Sequence, residues 1–511
     1  MSVHHLVANA AQAFPASIAL SHDAHQSTWR SFADRVSRRS TMIRDTGVSA
    51  GSRIAVLAAN VPEHLEAQFA VLWAGMILVP LNTRLALAEQ QFIIDHAQCS
   101  LLLYDDRNSK RAADLAQACT QLSATRLDSI DRWSTSADSL INRTALPFQP
   151  AKPRAPAAII YTGGTTGVPK GVELSHDALL LQALAAKDSF HLDEHTVFVH
   201  TAPMFHVADL TAGLGVTAAA ARHCFLPEFS PAALLDKIDR ESVDVAILVP
   251  TMIMATLDGA GERRHIMQRL RTILYGAAPI QEPVLRRLMR EAAGVGLIQL
   301  YGQTEVGGAC TMLSERFHVL EGPDAGKLGS AGRTLPAFSI RVVDAAGHDV
   351  PAGAVGEIVV SGPGVMTSYW RAPELTDKTL DQGWLRTGDL GTLDSDGFLS
   401  VVGRLKDMII TGAENVFAGE VESALMYHPA VQATAVIGVP DAVWGESVHA
   451  VVVLKAGQSA SEADLIEHCR SRIARYKCPR TIAFRDALPL SSVGKVRKVD
   501  LLEEWRQSNL R

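Results

Sequence analysis

A chain of 511 residues is several times the usual domain size of about 100 to 150, so more than one hydrophobic core is expected. With 47% hydrophobic and 20% charged residues it has the balance of an ordinary globular chain, which excludes a disordered or low-complexity protein. A formal net charge of -6 gives no electrostatic reason for nucleic acid or an anionic membrane as the main partner.

In chain order, the N-terminal stretch LVANAAQAF has no Lys or Arg before it and reads as a first helix rather than a cleavable signal. From Arg53 the pattern is strand (RIAVLAAN), helix (PEHLEAQFAVLWAG), strand (MILVPL), helix (ALAEQQFIIDHA), strand (SLLLYD). Asn60 can cap the first of these helices, and Leu65, Phe69, Leu72 and Trp73 share one face at helical spacing. This is a βαβαβ run, which implies a parallel sheet covered by helices. The longest apolar run, residues 70 to 81, falls short of the roughly 20 residues a membrane helix needs, so no membrane insertion is expected. The strand signature returns in VDVAILVP, RTILYGAAP and GLIQLYGQTE, each an apolar strand ending in a turn before a helical pattern. Ligands of open α/β sheets gather beyond such carboxyl ends.

After about Gly326 short strands with Gly turns take over: FSIRVVDAAGHDV, GEIVVSG and LGTLDSDGFLSVVGR. Asp394, Asp396 and Gly397 resemble the start of a calcium loop, but the other ligand positions of such a loop are missing, and a hairpin turn is the better reading. Beyond residue 405 the pattern becomes compact α+β: helix EVESALMYH, strands ATAVIGV and SVHAVVVL, and helix SEADLIEHCRSRIARY, which opens on a capping-box-like Ser461 and Asp464 and carries Leu465, Cys469 and Ile473 on one face. The expected fold is therefore α/β: a large N-terminal region of parallel sheets plus a β-rich part over 1–405, then a small α+β domain over 406–511. The six cysteines form no C-x-x-C, so neither a disulfide framework nor a zinc site is indicated, and a cytoplasmic location is expected.

The stretch YTGGTTGVPKG, residues 161 to 171, packs glycines and threonines ahead of Lys170. It is not a Walker A loop, because Val168 and Pro169 separate Gly167 from Lys170 and Gly171 follows. Successive backbone N–H groups in such a turn can still form a nest for phosphate oxygens, with threonine hydroxyls adding donors. Taken alone, it is equally readable as a flexible turn beside a solvated lysine.

Together with YGQTE (301–305), TGD (387–389), GRLKD (403–407) and GKVRK (494–498), this loop resembles, in order and spacing over nearly the whole chain, the adenylate-forming superfamily of acyl-CoA synthetases, aryl-CoA ligases, luciferase and peptide-synthetase adenylation domains. The resemblance implies an ATP-dependent carboxylate:CoA ligase. A carboxylate is a poor acyl donor because oxide would have to leave; transfer to AMP supplies a stable leaving group, and a thiol then takes the acyl group. The first step concentrates negative charge on phosphoryl oxygens, so positioning and cationic stabilisation should carry the catalysis.

By the resemblance, Thr162, Gly163, Gly164, Thr165, Thr166, Gly167 and Lys170 surround the β- and γ-phosphates. Thr162 and Glu305 would hold Mg2+, a hard cation suited to oxygen ligands. Gly276, Ala277 and Ala278 would leave a slot for adenine with Tyr301 on its other side, and Gly302, Gln303 and Thr304 would be further ATP-binding positions. Asp389 would accept both ribose hydroxyls, Arg404 would add a ribose or phosphate contact, and Lys495 is the expected catalytic lysine. The C-terminal domain would turn about a hinge at Lys406, bringing Gly412 and Ala413 to the pantetheine tunnel of coenzyme A. Trp444, Arg475 and Lys477 would meet the CoA nucleotide. The acyl pocket would be formed by His206 as gate with Val207, Thr251, Gly302, Val306, Gly307 and Gly308. No cation stands out to pair with a second acid group, so the expected substrate is a largely apolar fatty or aromatic monocarboxylic acid.

Two positions depart from the family pattern: Gly163 where serine is frequent, and Ala418 where proline is frequent. Neither removes a catalytic group. Two other readings are open, an adenylation enzyme serving a carrier protein and a noncatalytic acyl or nucleotide sensor on the same fold. A homodimer is left open.

Overall fold

The computed structural model describes residues 2–23, 25–127, 154–163, 169–412, 414–491 and 496–509. The expected βαβαβ run is present: strands Arg53–Leu57, Ile77–Pro80 and Cys99–Tyr104 are parallel, with helices Pro62–Trp73 and Leu87–Ala97 between them. Their sheet continues through Pro156–Thr162, parallel to Ile77–Pro80, then antiparallel Lys170–Ser175 and finally the two-residue strand Ser368–Tyr369. The strands leading into and out of the glycine-threonine loop are thus paired neighbours, with Thr162 opposite Lys170.

A second sheet, nine strands wide, carries Val197–His200, Val245–Leu248, Thr272–Gly276 and Gly296–Gln303 in parallel. Helices follow the second and third of these, at Pro250–Gly259 and Glu282–Glu291. The fourth differs from expectation: after Gln303 the chain makes one 3-10 turn, Thr304–Val306, and returns antiparallel as Gly308–Leu313. Gly307 and Gly308, at φ 71° and 138°, make that reversal possible, so Glu305 sits at the tip of a hairpin rather than at a helix start.

Large apolar side chains fill the space between these layers, among them Trp29, Phe32, Phe69 and Leu78, all buried. The β-rich part is antiparallel: Ser339–Val343, Gly356–Ser361, Trp384–Leu393 and Leu399–Arg404. Its last two strands form the expected hairpin, closed by the Asp394 carboxylate accepting from the Asp396 and Phe398 N–H groups. From Met408 a small sheet with helices Ala418–Met426 and Glu462–Arg470 forms a separate core around Val421, Val436 and Leu465. Among the described residues no helix is long and apolar enough to cross a membrane.

Two local expectations need correction. Asn60 does not cap the helix Pro62–Trp73, whose N-cap is Val61; its amide donates to the His200 and Ala202 carbonyls and accepts from the Met204 N–H, tying the two large sheets together. The helix predicted over 461–476 has the Ser461–Asp464 capping box but ends at Arg470, so Ile473 lies beyond it. Ala418 opens its helix and is buried, so the missing proline leaves the helix start intact.

Candidate active site

The two large sheets and the β-rich hairpin meet where YGQTE, TGD and GRLKD come together. The Tyr301 hydroxyl donates to Asp389 Oδ2 at 3.0 Å, and Arg404 Nε lies 3.0 Å from Oδ1. Asp389 and Arg404 are placed by register, being opposite each other on paired strands. Asp389 is only 5% exposed, whereas the Arg404 side chain is half exposed. Burial, and then the Asp389 charge, hold the Tyr301 phenol well above its ordinary pKa, so it stays a donor. Gln303 Nε2 donates to the Thr387 carbonyl at 3.4 Å, joining the same two segments.

Next to Tyr301, Gly276 pairs with Leu300, and a Cβ at Gly276 would come 2.2 Å from the Leu300 carbonyl oxygen. Ala277 adopts φ 63°, a conformation that costs a non-glycine residue energy and clusters at functional sites. Together with Ala278 it forms a low shelf at the end of its strand.

Glu305 is held twice by one short segment: the Met366 N–H donates to its carbonyl at 2.8 Å and the Tyr369 hydroxyl to its Oε1 at 2.8 Å. The Tyr369 phenol is kept protonated by burial and by the Glu305 charge. Lys170 Nζ lies 5.5 Å from the Tyr369 ring centroid, within cation–π range. Behind Glu305, Gln182 Nε2 donates to the Val306 and Ala309 carbonyls, fixing the hairpin.

On the expected acyl side, His206 is the N-cap residue of helix Val207–Ala218. Val207 is buried and Thr251 is exposed at the start of the helix Pro250–Gly259. A Cβ on Gly307 would come 2.9 Å from the Gly364 carbonyl, and one on Gly308 2.9 Å from Thr211 Oγ1. Side chains at both positions would therefore meet packed neighbours.

In the C-terminal part, Lys406 lies exposed in the 3-10 turn Leu405–Asp407 that joins the two regions. Gly412 N–H donates to the Trp444 carbonyl, and the half-exposed Trp444 ring stacks against Arg480, 4.6 Å away. Arg475 is exposed, but Lys477 is bonded at 2.8 Å to both Glu420 oxygens. Gly164, Thr165, Thr166, Gly167, Ala413 and Lys495 lie outside the described residues.

Two features escaped the sequence reading. Tyr369 belongs to none of the sequence motifs described above. A cavity of about 190 Å³ between Asn60, Arg84, Arg107, Phe205, Leu226 and Phe229 adds two arginines beside the segment that precedes His206; their signal, scattered single arginines, is indistinguishable from surface charge in a sequence.

Comparison with known proteins then gives consistent relatives. The family described as AMP-binding enzyme matches residues 7–370, and the AMP-binding enzyme C-terminal domain matches residues 420–495. An indoleacetate–CoA ligase of Aromatoleum aromaticum is 35% identical over 481 residues, covering 93% of this chain and 92% of that protein. A feruloyl-CoA synthase of an Amycolatopsis species is 36% identical over 488 residues, 95% of each chain. An o-succinylbenzoate coenzyme A synthetase of Bacillus subtilis, solved with ATP and magnesium ion, superposes with a TM-score of 0.84 at 29% identity over 98% of this chain and 99% of that one.

Proposed function

The chain belongs to the AMP-binding enzyme family and is an acid-thiol ligase of its AMP-forming kind, and from that premise we propose that it joins a largely apolar fatty or aromatic monocarboxylic acid to coenzyme A through an acyl-AMP intermediate. The observation that carries the site assignment is the buried Asp389 carboxylate, held between Tyr301 and Arg404 at the carboxyl end of the nine-stranded sheet. A carboxylate so placed presents two acceptor oxygens to a vicinal diol, which suits a ribose. The Gly276–Ala278 shelf beside the Tyr301 ring suits a flat base, because no side chain larger than methyl rises from it.

In the first half-reaction a substrate carboxylate oxygen attacks the α-phosphorus of ATP and pyrophosphate leaves. Lys495 approaches the α-phosphate and carboxylate oxygens and stabilises the charge gathering there. The Gly- and Thr-rich segment between Thr162 and Lys170 is the β- and γ-phosphate site, entered and left by the paired residues Thr162 and Lys170. The donor set fits Mg2+: Glu305 keeps Oε2 clear of hydrogen bonds among the described residues, Thr162 offers a hydroxyl, and no group of three or more His, Cys, Asp or Glu competes for a softer metal among them. When bound, the ion would neutralise phosphate oxygens.

In the second half-reaction the small domain turns about Lys406, withdrawing Lys495 and bringing the Gly412–Ala413 loop to the site. The CoA thiolate then attacks the acyl carbonyl and AMP leaves with its bonding pair. The cavity beside Phe205 carries Arg84 and Arg107, which supports approach of a phosphate-bearing thiol from that side. Trp444 and Arg475, both solvent-accessible, are further nucleotide contacts; Lys477 would first have to release Glu420. Away from those arginines, Val207 and Thr211 beside Gly308 carry no formal charge, which supports a monocarboxylic substrate. The test is a panel of fatty and aromatic acids with pyrophosphate release read with and without CoA. Acid-dependent pyrophosphate without CoA, and AMP turnover only with it, is the expected result; release independent of every acid would refute the proposal.

A further inference from the structure

We propose that Tyr369 is a positioning residue for adenylation, its hydroxyl orienting the Glu305 carboxylate and its ring seating Lys170, so that one side chain sets the distance between the metal-binding and phosphate-binding halves of the site. This rests on the reading of Glu305 as a Mg2+ ligand. Those halves belong to different sheets: Glu305 follows the strand Gly296–Gln303 of the nine-stranded sheet, while Thr162 and Lys170 end and begin strands of the seven-stranded sheet. Two ligands on separate sheets need a tie, because a shift of about 1 Å between reacting groups is costly.

Tyr369 supplies that tie. Its backbone is locked to the phosphate-loop sheet: Tyr369 pairs with Val172, the Thr367 N–H donates to the Glu173 carbonyl at 3.0 Å, and the Trp370 N–H to the Gly171 carbonyl at 2.7 Å. Its hydroxyl reaches across to Glu305 Oε1 at 2.8 Å, and the neighbouring Met366 N–H holds the Glu305 carbonyl. A hydrogen bond to one carboxylate oxygen fixes the torsion of the group and leaves the other oxygen aimed outward. The ring beneath Lys170 favours the ammonium on that side, close to where phosphate oxygens arrive. Tyr369 is itself only 6% exposed, so its position is set by packing and not by the ligand.

The two roles separate by substitution. Tyr369→Phe keeps the ring and removes only the hydroxyl; Tyr369→Leu removes both. The probe is Mn2+, followed by electron paramagnetic resonance in the presence of a non-hydrolysable ATP analogue, with nucleotide affinity measured in parallel with the metal chelated. Tyr369→Phe should weaken Mn2+ binding in the ternary complex about 10-fold, the low end for losing a group that orients a metal ligand, and leave metal-free nucleotide affinity unchanged. Tyr369→Leu should weaken both. Conversion of supplied acyl-AMP to acyl-CoA should be unaffected by Tyr369→Phe, a split that a general loss of fold would not give. Glu305→Gln is the reference: if it weakens Mn2+ binding and Tyr369→Phe does not, the role of Tyr369 is overturned. If Glu305→Gln has no effect on Mn2+ either, the reading of Glu305 fails and the proposal with it.

Discussion

Replacing Asp389 by Asn tests the ribose assignment with little change in shape. The folded protein should tolerate it: the Tyr301 hydroxyl can donate to the amide oxygen as it does to Oδ2, and the Arg404 side chain, 47% exposed, loses an ion pair of small value. Melting temperature should therefore hardly move. Nucleotide binding should suffer. Hydrogen bonds to a charged acceptor contribute about 1.5 to 3 kcal/mol and neutral ones about 0.5 to 1.5. Exchanging two charged acceptors for one neutral acceptor and one amide donor should cost about 2 to 3 kcal/mol, or roughly 30- to 150-fold in affinity. The assay is calorimetric binding of ATP, 2'-deoxy-ATP and 3'-deoxy-ATP to both proteins. Wild type should discriminate against the deoxy nucleotides, and Asp389→Asn should lose most of that discrimination along with its affinity. A folded Asp389→Asn protein that binds ATP as wild type, or that still distinguishes the deoxy nucleotides fully, would remove Asp389 from the ribose.

Lys406→Pro fixes φ near -65° within the connecting turn, and should leave one half-reaction at least 10-fold less affected than the other; a variant with wild-type overall turnover would rule out the hinge. In the acyl pocket, Gly307→Leu or Gly308→Leu would destabilise the fold, since both glycines have positive φ and a Cβ would meet Gly364 or Thr211. Val207→Phe is the better perturbation: it should raise KM for the largest accepted acid about 10- to 200-fold relative to the smallest, with ATP KM unchanged, and an unaltered acid profile would place the pocket elsewhere.

The parts of this molecule that could be read from its sequence are those whose chemistry is local. A Tyr and a Glu four residues apart stand next to each other in the chain because one strand end and the turn after it present them together. The strands were legible for a related reason: VDVAILVP and RTILYGAAP are apolar on both faces, as buried parallel strands must be. Pairings over long separations were not. Asn60 has the composition of a helix cap, but three backbone groups between residues 200 and 204 outcompete the adjacent helix for its amide. The helical period of SEADLIEHCRSRIARY continues past Arg470, but the chain turns to bury Cys478. Lys477 reads as a basic contact until Glu420, 57 residues away, is found against it. Tyr369 stands in a two-residue strand that pairs with residues nearly 200 positions earlier, and its hydroxyl bonds Glu305, 64 residues away.

The most direct test of the whole account separates the two half-reactions in Lys495→Ala. Losing a donor that stabilises transition-state charge costs roughly 10²- to 10³-fold in rate. Single-turnover formation of acyl-AMP from acid and ATP should fall by that factor, while conversion of supplied acyl-AMP and CoA to acyl-CoA proceeds at the wild-type rate. Equal loss in both steps, or undiminished acyl-AMP formation, would contradict a ligase in which one lysine serves adenylation and the domain then turns away to let the thiol in.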